Sequence, residues 1–252
     1  MKVLASVADV RGFRDQHRSE SLGLVPTMGS LHAGHLALVR RSQAENAVTV
    51  VSIFVNPTQF DQTSDLEHYP RQEQQDLEAL QACAVDAVYL PDYASLYPDG
   101  FRYRVSETGL SQRLCGAHRP GHFDGVLTVV MKLLNVVQPD NAYFGEKDYQ
   151  QLQLVRGMAE AFFMRVNIVP CPLVREADGL AMSSRNRLLT PAQRQLAPAL
   201  YQVLKNSPGA AGARHELEQK GFAVDYVEDF HGRRLAAARL GQVRLIDNVP
   251  IE

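Results

Sequence analysis

Three short segments carry side chains whose types and spacing suit phosphate chemistry. The first is Pro26-Thr-Met-Gly-Ser-Leu-His-Ala-Gly-His35. His32 and His35 lie three apart, so at a helix start both rings project from one face. Gly34 between them has no side chain and lets a ligand approach the backbone. Amides at a helix start and two imidazoles together make a seat for phosphate. The same pair can equally be two histidines packed beside a turn. A two-histidine metal site has less support, since no carboxylate or third histidine is close in sequence. The G-x-G-x-x-G and P-loop fingerprints are both absent, which weakens dinucleotide-oxidoreductase and P-loop readings.

The second segment is Gly145-Glu-Lys-Asp-Tyr-Gln-Gln151. Read as a helix start, it puts Lys147 and Gln151 on one face. Asp148 suits the positive end of the helix dipole, and Lys147 is placed either to meet a phosphate or to be solvated. The third segment, Val174–Arg187, is basic and hydroxyl-rich. It reads as a mobile loop able to close over a triphosphate, with Ser183 and Ser184 donating and Arg185 balancing developing charge. A solvated interdomain loop fits its composition as well. Phe54–Phe60 and Arg119–Phe123 are less specific, although Gln59, flanked by Phe54 and Phe60, can orient a small polar ligand.

These segments need elements to hold them. Leu22–Pro26 is a short apolar run, and Leu36–Glu45 follows it with helical spacing. Val48–Val55 is nearly continuous β-branched and aromatic sequence, the pattern of a strand buried on both faces. Arg71–Ala84, Val126–Val137 and Lys147–Phe163 read as helices; Ala87–Leu90, Ala142–Phe144 and Arg165–Val169 read as strands. Strand and helix in alternation imply a parallel sheet covered by helices. The rhythm then changes. Thr190-Pro191 opens a helix, with Gln193 completing a capping box. After a loose stretch at Asn206–Gly212 and one short helix, Ala223–Phe230, Arg234–Leu240 and Val243–Asn248 read as strands. His231-Gly232 suits a hairpin turn between the first two. The expected fold is α/β, with a parallel-sheet domain over 1–173 and a smaller α+β domain over 174–252.

With 252 residues, 45% apolar and 21% charged, the chain can bury a sizeable core. Its net charge of −2 provides no basic field for a nucleic-acid backbone and no acidic tail. Three scattered cysteines without a CxxC pair indicate neither a disulfide framework nor a structural zinc. Asp9 and Arg11 interrupt the N-terminus too early for a secretory leader. Val126–Val137 is broken by Lys132 and Asn135 and too short to span a bilayer. The expectation is a soluble, cytoplasmic protein.

Taken in order, PTMGSLHAGH at 26–35, FVNPTQF at 54–60, YPR at 69–71, RPGHFDGVLTVV at 119–130, PDNAYFGEKDYQQ at 139–151, VREADGLAMSSRNRLL at 174–189 and RLIDN at 244–248 resemble the pantothenate synthetase (pantoate–β-alanine ligase) family. The match is dense over about residues 20–190. His32-Ala-Gly-His35 resembles the HIGH signature of the wider nucleotidyltransferase superfamily, and Met182-Ser-Ser-Arg185 its KMSKS counterpart. The resemblance implies a Rossmann-like domain carrying the site, a small C-terminal lid and a homodimer. It implies ATP- and Mg2+-dependent condensation of (R)-pantoate with β-alanine through pantoyl-adenylate. It places Met28, Gly29, Ser30, Leu31, His32, Ala33, Gly34, His35, Gly145, Glu146, Lys147, Asp148, Val174, Met182, Ser183, Ser184 and Arg185 around ATP. His35, His32, Lys147 and Arg185 are the implied catalytic groups. Gln59 and Gln151 are implied to hold pantoate, and no protein metal ligand is implied.

Two features depart from the family pattern. Thr58 stands where that pattern has Met, which would loosen the acyl pocket beside Gln59. The stretch between Leu189 and Arg244 is shorter than expected, which bears on lid closure. Two other readings stay open: another nucleotidyltransferase of the superfamily, and a low-activity nucleotide-binding relative with a reduced lid.

Overall fold

A computed structural model describes residues 1–251; Glu252, the end of the expected second domain, lies outside the described residues. The chain divides into two compact units, and Lys147–Tyr149 groups with the C-terminal one.

The first unit holds β1 (Lys2–Leu4), α1 (Val7–Gln16), β2 (Leu22–Thr27), α2 (Ala33–Glu45), β3 (Val48–Ile53), α3 (Thr63–Glu67), α4 (Glu73–Ala82) and β4 (Ala87–Tyr89). It continues with α5 (Tyr93–Leu96), α6 (Cys115–His118), α7 (His122–Val137), β5 (Asn141–Gly145), α8 (Tyr149–Ala161, in this unit from Gln150 onward) and β6 (Asn167–Cys171). The six strands form one parallel sheet in the order β1-β4-β3-β2-β5-β6. Side chains of a strand alternate between faces. Val25, Val51, Val88, Tyr143 and Val169 therefore share one face, where they pack with Leu38, Val39 and Leu80. Leu24, Val50, Tyr89 and Ala142 are turned to the other face and are equally buried. A sheet buried on both sides explains the unbroken apolar run of β3.

The strand order reverses between β2 and β5, which lie side by side through Gly23↔Asn141 and Leu24↔Ala142. Open α/β sheets bind ligands at the carboxyl ends of strands at such a switch point. There β2 delivers the Met28–His35 segment, and β5 delivers Gly145 and Glu146.

The second unit adds α9 (Pro191–Leu196), α10 (Ala199–Asn206), α11 (Ala210–Gln219), β7 (Ala223–Phe230), β8 (Arg233–Leu240) and β9 (Val243–Pro250). The three strands form an antiparallel sheet. Leu200, Val203, Leu204, Leu217, Leu235 and Leu245 are among its buried residues. His231 and Gly232 both have positive φ, as a two-residue hairpin of this hand requires. The Thr190 and Gln193 capping box is formed in both directions.

Several boundaries differ from the sequence reading. Lys147 is not in the first turn of an α-helix: Glu146–Asp148 forms a 3-10 turn and α8 begins at Tyr149. The four-residue spacing argument that put Lys147 and Gln151 on one face therefore does not apply. α8 ends at Ala161, before Phe163 takes a left-handed conformation, and β6 follows two residues later than expected. α7 starts four residues earlier, because Gly121 at φ +78° turns the chain into it. Strand β1, only three residues long and largely exposed, has too little apolar pattern to be read from sequence.

Candidate active site

The segment after β2 is a built turn. Thr27 donates its hydroxyl to the Ser52 carbonyl (2.8 Å) and accepts from the Gly29 N–H (3.2 Å). Gly29 and Ser30 both have positive φ, at 77° and 50°. This conformation turns two successive amides toward one carboxylate. Ser30 and Leu31 donate to the two oxygens of Asp76, each at 2.7 Å. Asp76 comes from α4 and is buried. A Cβ on Gly29 would lie 3.0 Å from Asp76 Oδ2 and 3.1 Å from Ile53, so both space and φ require glycine here.

His32 caps α2. Its Nδ1 accepts from the Gly34 N–H at 3.2 Å, and His35 Nδ1 accepts from the His32 N–H at 3.4 Å. The two rings lie 4.0 Å apart between centroids. An Nδ1 that accepts a backbone hydrogen bond puts the proton of a neutral imidazole on Nε2. Both rings lie beside the positive end of a helix of thirteen residues. The arrangement suits an anion.

Gln59 lies at the end of a 3-10 turn over Pro57–Gln59. Its Oε1 accepts from Asn56 Nδ2 (3.1 Å), and its Nε2 donates to Met28 Sδ (2.9 Å). Asn56 is almost wholly buried. Its Oδ1 accepts from the hydroxyls of Thr58 (2.9 Å) and Tyr97 (3.0 Å). Burial pushes the Tyr97 hydroxyl up to about 12, so it stays protonated and donating. Thr58 thus has a polar partner of its own. The Gln59 carbonyl accepts from Arg119 (3.2 Å) and from His122 Nδ1 (2.7 Å), and Arg119 also pairs with Asp61 at 2.8 Å. The RPGHF motif is thereby a clamp on the Gln59 segment.

Gln151 is half-buried near the start of α8. Its neighbour Gln150 is buried and serves the fold. It donates to the carbonyls of Leu110 and Arg113, both at 2.8 Å, and accepts from the Cys115 N–H at 2.9 Å.

In the second unit, Lys147 Nζ lies 3.5 Å from Asp148, and the Lys147 carbonyl accepts from Asn248 Nδ2 at 3.1 Å. The segment Val174–Met182 is folded as a hairpin, followed by a 3-10 helix over Ser184–Leu188. Met182 donates to the Val174 carbonyl (3.0 Å), and Arg175 and Ala181 form an antiparallel bridge. Arg175 pairs with both oxygens of buried Asp247 at 2.7 and 2.9 Å, donates to the Gly179 carbonyl at 3.0 Å, and stacks over Tyr201. Desolvation pushes the Asp247 carboxyl up, against the pull of Arg175. Arg194 joins Glu176 and Asp178 (both 2.6 Å), and Asn186 donates to Glu176 (2.8 Å). Ser183 caps a short 3-10 helix by accepting from the Arg185 N–H at 3.3 Å. Ser184 is buried and Arg185 half-buried.

Within the first unit the structure joins Met28 to Gln59, ties Ser30 and Leu31 to α4, and pairs His32 with His35. Within the second it links Lys147, through Asn248, to the segment that carries Val174 and Met182–Arg185. No hydrogen bond joins Gln151 to another of these residues among the described contacts. Asp76, Asn56, Tyr97, Arg175, Asp247 and Asn248, whose hydrogen bonds hold these segments, had no role in the sequence reading. Asn56 and Arg175 lie in the FVNPTQF and VREADGL matches and Asp247 and Asn248 in RLIDN, none of them with a role.

The pantoate-beta-alanine ligase family model matches residues 2–250. A pantothenate synthetase of Bdellovibrio bacteriovorus is 55% identical over 99% of both chains. One from Coxiella burnetii is 47% identical, covering 99% of this chain and 96% of the other. Among solved structures, a Francisella tularensis pantoate-beta-alanine ligase complexed with beta-gamma ATP and beta-alanine superposes with a TM-score of 0.95. It is 38% identical, over 99% of this chain and 97% of the other. A Thermus thermophilus pantothenate synthetase gives a TM-score of 0.92 at 41% identity, over 99% of both chains. The segment between Leu189 and Arg244 thus lies in a chain as long as these relatives. With its parallel sheet, its paired histidines at the switch point and this full-length agreement, the chain belongs to the pantoate–β-alanine ligase family.

Proposed function

We propose that His32, His35, Lys147, Ser183, Ser184 and Arg185 carry the phosphate chemistry of an ATP-dependent condensation of (R)-pantoate with β-alanine. The enzyme is a pantothenate synthetase by its family, and the full-length agreement with relatives of that name carries this reading. An oxygen of the pantoate carboxylate attacks the α-phosphorus of ATP, and pyrophosphate leaves. The β-alanine nitrogen then attacks the acyl carbon of pantoyl-adenylate, AMP leaves, and the amine proton goes to solvent. The carboxylate is already ionised at neutral pH, so the first step needs alignment and charge neutralisation rather than a strong base.

His32 and His35 would donate from Nε2 to phosphate oxygens, and the Met28–Leu31 turn and Ala33-Gly34 would line the nucleotide. Lys147, with Gly145, Glu146 and Asp148 beside it, would meet phosphate as a point charge. Val174, Met182, Ser183 and Ser184 would flank ATP, and Arg185 would offset charge developing on the leaving group. Gln59, whose amide is oriented by Asn56, would bind pantoate from its Nε2 side, with Gln151 as a second amide for that substrate. Among the described residues no group of three or more His, Cys, Asp or Glu side chains gathers as a metal cage. Mg2+ would be carried by the triphosphate, as this ion commonly is, and supply charge neutralisation there. A homodimer and a cytoplasmic location complete the proposal. No helix among the described residues is long and apolar enough to cross a membrane.

Purified protein given ATP, Mg2+, β-alanine and pantoate labelled with heavy oxygen in its carboxylate tests the chemistry. Label appearing in AMP, with pantothenate formed in equal amount, supports it. AMP formed without pantoate, or free of label, overturns it in favour of another nucleotidyltransferase.

A further inference from the structure

Asn248 lies on β9, remote in sequence from every residue given a role in the reaction, and its polar groups converge on the segments that carry them. Its Nδ2 donates to the Lys147 carbonyl at 3.1 Å. Its backbone carbonyl accepts from Arg175 Nη2 at 3.2 Å, and its N–H donates to Asp247 Oδ1 at 2.7 Å. Its Oδ1 accepts from Arg233 Nε at 2.6 Å, which holds the carboxamide in one orientation. The residue itself is 1% exposed, and its bonds to Lys147, Arg175 and Arg233 are partly shielded from water. Arg175 carries the connection on: it spans Asp247 and the Gly179 carbonyl in the turn of the hairpin that leads to Met182–Arg185.

We propose that Asn248 is a positioning residue for nucleotide binding, holding the Lys147 turn and the Val174–Arg185 segment in a fixed relation. The inference rests on the reading that Lys147 and Ser183–Arg185 meet ATP. The geometry favours a positioning role over simple packing for a chemical reason. The Asn248 carboxamide uses both of its ends, donating from Nδ2 to the Lys147 carbonyl and accepting at Oδ1 from Arg233. The donated bond fixes the peptide plane after Lys147, and with it the direction in which the Lys147 side chain leaves the backbone. Asn248 acts through Lys147 and Arg175 rather than by touching a substrate atom.

The test combines variants with two readouts, ATP affinity by calorimetry and the kinetic constants for ATP and for pantoate. Asn248→Ala is expected to weaken ATP binding about five- to tenfold, the size of one lost hydrogen bond, with the KM for pantoate within twofold. Val249→Ala, a truncation of the next buried side chain on β9, serves as the packing control and is expected to lower thermal stability while leaving ATP affinity within twofold. In a Lys147→Ala background, Asn248→Ala should add little, because coupled residues are not additive. Equal loss of ATP affinity in Val249→Ala, or full additivity with Lys147→Ala, overturns the inference and leaves the site reading standing. An unchanged ATP affinity and turnover in Lys147→Ala overturns the site reading itself, and the inference with it.

Discussion

Lys147 and His35 are the side chains on which turnover should depend most steeply, because each offers a donor to charge that builds during adenylation. Replacing either with alanine is expected to lower kcat/KM by roughly 10²-fold, the usual scale for removing one such donor. Steady-state pyrophosphate release by the folded variants measures it, and wild-type rates in both would remove them from the reaction. A second residue-scale outcome concerns stability. Asp99 accepts from the Tyr103 N–H at 3.0 Å and from Lys132 Nζ at 3.0 Å, and these interactions hold its carboxyl at about 2 rather than the ordinary 3.8. A depressed folded value means that this contribution is complete above the unfolded value and is lost as pH falls from 3.8 through about 2. In urea titrations, Asp99→Asn should therefore lie below wild type by a constant margin above pH ~5, and the margin should shrink below pH ~4. A margin independent of pH would show that the carboxylate charge contributes nothing.

Packing between elements governs the Gln59 segment. Helix α7 crosses the Pro57–Gln59 turn at Gly125, where an added Cβ would overlap the Thr58 carbonyl oxygen and stand 2.7 Å from the Gln59 Cα. Backbone cannot yield as a flexible side chain does, so Gly125→Ala must push α7 and the turn apart. Overpacking of this kind costs about 1–3 kcal/mol. The Asn56 Nδ2 bond to the Gly125 carbonyl at 3.2 Å would be strained as well, and the Gln59 amide would lose its orientation. Gly125→Ala is expected to lower the denaturation midpoint and raise the KM for pantoate more than that for ATP. Equal changes in both KM values would mean that this turn does not select the acyl substrate.

Each unit has a core of its own. One is built on the parallel sheet with α2 and α4, the other on the antiparallel sheet with α10 and α11, so unfolding can proceed in two steps. A ligand stabilises whatever it binds in the folded state. At a hundredfold excess over its Kd, ATP should stabilise the unit it binds by about 2.7 kcal/mol, and the calorimetric transition of the unit that holds Lys147 should move upward. A shift confined to one transition would restrict the nucleotide contacts to that unit. Lys147→Ala should abolish most of the shift.

Local chemistry determined a good part of this protein from sequence alone. The valine-rich run of β3, the Thr190-Pro191 cap and the His231-Gly232 turn were legible because periodicity, capping and positive φ are properties of neighbouring residues. His32 and His35 were legible as a pair for the same reason, and the order of motifs pointed to the ligase family. What the tertiary structure decided was which remote groups hold these residues. Asp76 reaches back from α4 to the Ser30 and Leu31 amides, and Asn56 orients Gln59 with help from Tyr97. Asp247 and Asn248 tie the Lys147 turn to the Arg175 hairpin from the far end of the chain. An isolated Asp or Asn looks the same in a sequence whether solvated or buried; only the folded chain brings its hydrogen-bond partner within reach and removes the water that would compete.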